Sequence, residues 1–369
     1  MELLSCERNN ANKKNTNIMK YNKKNILAQH NELELNTSGD FVIRKDLIEQ
    51  YEPIDFHSHC YISIASMLPA LFRSPKSNRM NKSFFDLSCY PGNIKNFDFE
   101  KVGYRTWPNT SFSLSGMEAL ADLFALKGVI PMIQNASIER VLQDMKQSHV
   151  KKMVLLPIQG LQGKESENCI EATRKYEEFI VFGSVHPNET NIQNKINSYL
   201  DHGIKGFKIA PHVWNIDFYD KRVYNLIGYL SETKLPIISC SGLAIPATFK
   251  NLPFSLKNSM ETQTAQKYAE VLRQFPNLKL IFAHSGLEQN DAFIELMKQY
   301  PSTYADISTQ PPANIKKMIN SIGADRLLFG SDYPFFNQAF PLLAVLKATD
   351  NEEERKKIFS INARNLLNI

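Results

Sequence analysis

Residues 278–284 read LKLIFAH. A short run that is almost wholly apolar and then closes on a histidine suits a strand buried on both faces of a parallel sheet, where an antiparallel strand with one wet face would alternate. The same form recurs along the chain as PIDFH (53–57), KMVLLP (152–157), FIVFGSV (179–185), GFKIA (206–210), PIISC (236–240), TYADIS (303–308) and RLLFGSD (326–332), which makes eight candidate strands. Helical periodicity fills most of the intervals. In SIERVLQDMKQ (137–147), Ile138, Val141, Leu142 and Met145 share one face and Ser137 is placed to cap the N-terminus. Eight strands alternating with helices predict an α/β fold, a (β/α)8 TIM barrel. The competing doubly wound sheet would place a glycine-rich phosphate turn after its first strand, and none follows residue 57.

The flanks of this rhythm set the domain organisation. Residues 1–40 are rich in Asn and Lys and read as a low-complexity, mobile tail, with a basic docking arm as the alternative. Residues 41–369 read as one barrel, interrupted at about 60–135 by a stretch too long for a simple connection. That stretch is expected to be a partly helical insertion after the first strand, covering one mouth. The chain is 43% hydrophobic and 22% charged, enough for a large soluble core, and its net charge of +5 is a weak argument for a nucleic-acid partner. The five cysteines are scattered without CxxC spacing, so no disulfide framework is expected and a reducing, cytoplasmic location is. No N-terminal apolar stretch reads as a signal peptide, and no run of about eighteen apolar residues reads as a membrane span.

In a barrel of this kind the chemistry gathers at the C-terminal ends of the strands. The polar residues found there are His57 and His59 on the first strand, Lys208 and then His212 on the fourth, Cys240 on the fifth, His284 on the sixth and Asp332 on the eighth. His149 and His202 precede strands and fall on the opposite face. Side chains two apart on a strand share a face, so both imidazoles of His-x-His can reach one cation at about 2.0–2.1 Å if it is zinc. A carboxylate on the last strand can ligate the same ion and take a proton from its bound water, and His284 can orient that water or polarise a substrate oxygen.

Taken in order, DFHSH, MVLLP, FGSVHPNE, GIKGFKIAPH, LPIISCSG, KLIFAHSG and ADRLLFGSDYP resemble the amidohydrolase superfamily, in its amidohydrolase-related (amidohydrolase 2) branch, over about residues 50–369. The resemblance implies a metal-dependent barrel with one divalent ion, zinc by expectation, a small-molecule substrate, no membrane partner, and a homodimer as the family's habit. By position it makes His57, His59 and Asp332 metal ligands, Asp332 also the base, and His284 the second catalytic group. The branch normally carries histidine at the end of the fifth strand, where this chain has Cys240. Cysteine is then the expected fourth ligand, since a thiolate binds zinc well. The alternatives are completion of the site by His212 or Lys208, or a weakened site.

His186, at the end of the third strand, fits a structural hydrogen bond as well as a substrate contact. Arg73 and Arg105 could grip a substrate carboxylate, and Tyr104 and Trp107 could wall the pocket, although surface exposure and core packing explain these four equally well. The expected activity is hydrolysis of an amide, ester or lactone-like small molecule by a metal-activated water. A non-oxidative decarboxylase is the enzymatic alternative, and a catalytically inactive binding barrel the other.

Overall fold

The computed structural model describes residues 23–37, 39–60, 137–214, 216–242, 263–287, 289–334 and 336–369. The expected insertion, with Arg73, Tyr104, Arg105 and Trp107, lies outside the described residues beyond Cys60, as does the His212 side chain.

All eight expected strands form. They are β3 (Ile54–Ser58), β4 (Lys152–Leu155), β5 (Phe179–Val181), β6 (Phe207–Ile209), β7 (Ile237–Cys240), β8 (Leu280–Ala283), β9 (Tyr304–Asp306) and β10 (Leu327–Leu328). Within β3–β4–β5 and within β6 to β10 every pairing is parallel. Two seams join these sheets into a barrel. Gly183 bridges Phe207 on one side; on the other, Ser58 bridges Tyr333 and the Phe56 amide donates to the Phe329 carbonyl at 2.8 Å. Helices Ile138–Gln147, Glu165–Thr173, Ile192–Asp201, Lys221–Glu232, Ala265–Gln274, Asn290–Gln299 and Pro312–Ile322 alternate with the strands, and Ala339–Ala348 follows the last. Ser137 caps the first of these through the Arg140 amide, as its position in the sequence predicts.

Strand alternation builds two cores. Ile54, Phe56, Val154, Phe182, Ile238, Ile281 and Leu328 fill the barrel interior, and Ala363, Leu366 and Leu367 of the closing helix Asn362–Leu367 pack against them. The intervening residues, such as Met153, Phe207, Ile237 and Phe282, pack outward under the helices. On β6 and β7 this alternation turns Lys208 and Cys240 inward.

The segment expected as a mobile tail is structured from residue 23 onward. Lys23–Gln29 is helical, and β1 (Leu33–Leu35) pairs antiparallel with β2 (Phe41–Ile43). Ile26 and Leu33 are buried in the outer core, and Glu32 meets Lys347 at 2.6 Å. The Asn/Lys-rich composition hides this because a few apolar residues suffice to dock a short hairpin against Ala339–Ala348.

Candidate metal centre at the barrel mouth

The site begins with an irregularity in β3. Its register against β4 shifts between Asp55 and Ser58. A bulge of this kind breaks the strict alternation and re-aims the side chains beyond it, so the strand fills the barrel with Phe56 and then turns His57 and His59 toward the mouth. Asp55 clamps this turn from outside. It accepts from the Ser331 and His57 amides and from Gln338, and burial nevertheless lifts its carboxyl to about 6. The adjoining Asp332 amide donates to the His57 carbonyl at 2.7 Å, and Asp332 itself has a φ of 61°. His284 is likewise held at a φ of 58°. Both are non-glycine residues in the left-handed region, a conformation that persists only where the surrounding structure fixes it.

Four of the expected residues converge. His57 Nε2 is 3.2 Å from His59 Nε2, and Asp332 Oδ1 is 3.6 and 3.4 Å from these two nitrogens. The His284 ring stacks on His57 with centroids 4.5 Å apart, and His57, His284 and Asp332 each offer a ligand atom within 4.8 Å of the others. Cys240, the fifth, points its sulfur at the Lys208 ammonium, 3.2 Å away, and is also hydrogen-bonded to His284. Burial raises the Cys240 thiol, but Lys208 and His284 outweigh it and hold the group below its usual range. His186 accepts from the Asn188 amide and lies against Trp214. His202 closes a helix through the Ser198 carbonyl.

The donor set fits a cation. His59 Nδ1 lies 2.7 Å from the Leu156 carbonyl, so that nitrogen carries the proton. His57 Nδ1 lies 2.9 Å from Asp306 Oδ2 and carries its proton for the same reason. Burial, against the pull of Asp306, drops His57 to about 3, so the ring is neutral near pH 7. The neutral His57 ring then turns its Nε2 lone pair toward His59 Nε2 and the Asp332 carboxylate. Three acceptors within 3.6 Å of one another repel unless positive charge lies among them. A carboxylate behind the ligating imidazole is the usual way a metal histidine is oriented.

Asp306 was not singled out from the sequence. The available signal is a carboxylate at the end of the otherwise buried TYADIS strand. A side chain at Gly330 would sit 2.9 Å from both Asp306 Oδ1 and His57 Cβ, so the glycine of FGSD leaves room for this pair.

Fold and site together define a TIM barrel whose mouth could hold a metal ion. The chain belongs to the amidohydrolase family: the family model (amidohydrolase 2) matches residues 140–369, more than half of its length. The fold is similar to that of an uncharacterised TIM-barrel protein of Bordetella bronchiseptica, with 21% identity, a TM-score of 0.53, and coverage of 64% of this chain and 85% of that one. It is also similar to 5-carboxyvanillate decarboxylase of Novosphingobium aromaticivorans, solved with manganese, at 14% identity and a TM-score of 0.57 over 87% and 98% of the two chains. A probable 2-pyrone-4,6-dicarboxylic acid hydrolase of Acinetobacter baumannii gives 12% identity and 0.53 over 86% and 100%. No described helix is long and apolar enough to cross a membrane.

Proposed function

We propose that the protein is a metal-dependent hydrolase of a small amide, ester or lactone. The observation that carries this reading is the facing set of acceptors, His57 Nε2, His59 Nε2 and Asp332 Oδ1, within 3.6 Å of one another. These three would hold one divalent ion, zinc by the nitrogen-rich character of the donors. Cys240 would not join them as a ligand, because an ammonium 3.2 Å from the sulfur opposes a dication at the same atom. A bound ion would supply Lewis-acid polarisation and lower the pKa of a coordinated water toward about 7.

The chain's own residues do the rest. Asp332 accepts the proton of the attacking water and returns it to the leaving group. Burial lowers the His284 imidazolium, but Asp332, Cys240 and Asp306 outweigh it and raise the group above its ordinary range. His284 therefore carries a proton toward the carbonyl oxygen that gains charge.

Lys208 motivates a second reading. It is a buried ammonium facing the same interior, and a cation near the mouth suits a substrate carboxylate lost as carbon dioxide. The experiment is to load the purified protein with zinc or manganese and offer p-nitrophenyl acetate, small lactones and hydroxybenzoates. Turnover of the first two classes, abolished by chelator and restored by metal, supports hydrolysis. Carbon dioxide release from the benzoates supports the second reading. Turnover that survives complete metal removal overturns both.

A further inference from the structure

Asp306 accepts four hydrogen bonds. Oδ2 takes the His57 ring at 2.9 Å and the His284 amide at 3.2 Å; Oδ1 takes the Ser308 amide at 2.9 Å and the Ser308 hydroxyl. Two of these donors are backbone amides, whose direction is fixed. A carboxylate in such a setting only accepts. The Ser308 hydroxyl has one hydrogen, and it is given to Asp306. Its oxygen can then only accept from the other atom it meets, His284 Nδ1 at 2.7 Å. That nitrogen therefore carries a proton whatever the charge of the ring.

We propose that Asp306 is the positioning residue of the site: directly for His57, and through Ser308 for His284, it fixes both rings with Nδ1 protonated and so presents both Nε2 atoms to the mouth. One buried carboxylate thus sets the ligand lone pair and the orientation of the acid together. The stack of the two rings, 4.5 Å between centroids, follows from their sharing this anchor. The roles given to the two histidines rest on the proposed function; the protonation pattern does not.

The pattern is read directly by ring-nitrogen NMR of 15N-histidine-labelled protein without metal, with His57→Gln and His284→Gln assigning the signals. Both rings are expected with Nδ1 protonated. Spectra are taken at a pH high enough to leave the His284 ring neutral, where Ser308→Ala frees it to redistribute its proton while His57 keeps its own, and Mn2+ or Zn2+ affinity by calorimetry stays within about twofold, since second-sphere effects of size belong to the ligand's own partner. Asp306→Asn disturbs both rings and weakens binding of the same ions by about 10–100-fold.

An unchanged His284 signal in Ser308→Ala overturns the inference. So does a folded Asp306→Asn protein that binds both ions as tightly as the parent. If Asp306→Asn fails to fold, the Ser308→Ala spectrum decides alone. A parent protein that binds neither ion would defeat the metal reading and leave the NMR arm intact.

Discussion

At the residue scale, Lys208 and Cys240 form a buried pair inside the barrel. Among the described residues no carboxylate lies within 4.0 Å of the Lys208 ammonium, and its side-chain partner is the Cys240 sulfur. A buried cation stripped of its one partner is strongly destabilised, whereas replacing both members with apolar groups is close to neutral. Cys240→Ala should therefore cost about 3 kcal/mol in urea unfolding, and Lys208→Met/Cys240→Ala should recover most of it. A double variant as unstable as the single one would show that the two groups do not depend on each other. The sequence made His57, His59, His284 and Asp332 legible because each is polar at the end of an apolar strand. It did not reveal the Lys208–Cys240 contact, since that depends on the register by which Lys208 pairs with Ile238. Asp306 escaped for a related reason: its role lies in a bond to a residue 249 positions away.

At the element scale, the strands were readable because burial on both faces demands long apolar runs, and each run held one strand. Their ends were less so. RLLFGSD contributes only Leu327–Leu328 to a ladder, while the segment beyond meets the first barrel strand through single bonds at Phe329 and Asp332, the latter at a positive φ. Helix Lys221–Glu232 offers a clean test of local forces. Asp220 caps it by accepting from the Arg222 amide at 2.9 Å and also takes the Arg222 side chain. The Arg222 side-chain bond, with the backbone bond behind it, lowers the Asp220 carboxyl to about 2. A folded pKa below the unfolded value contributes stability above about pH 4 that is lost as pH falls through 2. Asp220→Asn keeps a good cap and should flatten that acid limb, while Asp220→Ala should also lose about 1 kcal/mol at neutral pH. Thermal unfolding of the three proteins at pH 7, 4 and 2.5 checks it, and identical pH slopes would remove the charge from the account. The effect of the charge itself is small, because the group is open to solvent.

At the scale of the whole molecule, the site lies across a seam. His57 belongs to β3, the first barrel strand, His59 follows that strand directly, and Asp332 follows β10, the last. These ends are joined by the Ser58–Tyr333 bridge and a few backbone bonds, including those from the Phe56, His59 and Asp332 amides, rather than by a full ladder. An ion held by the three side chains would tie the two ends of the barrel through the chain's most distant parts. It would bind the folded state and have no equivalent site in the unfolded one. Saturation at a hundred times its dissociation constant then adds about 2.7 kcal/mol, or several degrees in melting temperature. Chelation should lower the melting temperature by that amount, and added Zn2+ or Mn2+ should restore it. His59→Asn should melt near the chelated parent and respond to neither treatment. If the parent melts at one temperature with metal, without it and after chelation, the seam is closed by backbone bonds alone. The crowding of acceptors at the mouth would then have to be relieved without a metal, and the reading of these three side chains as a metal site would fall.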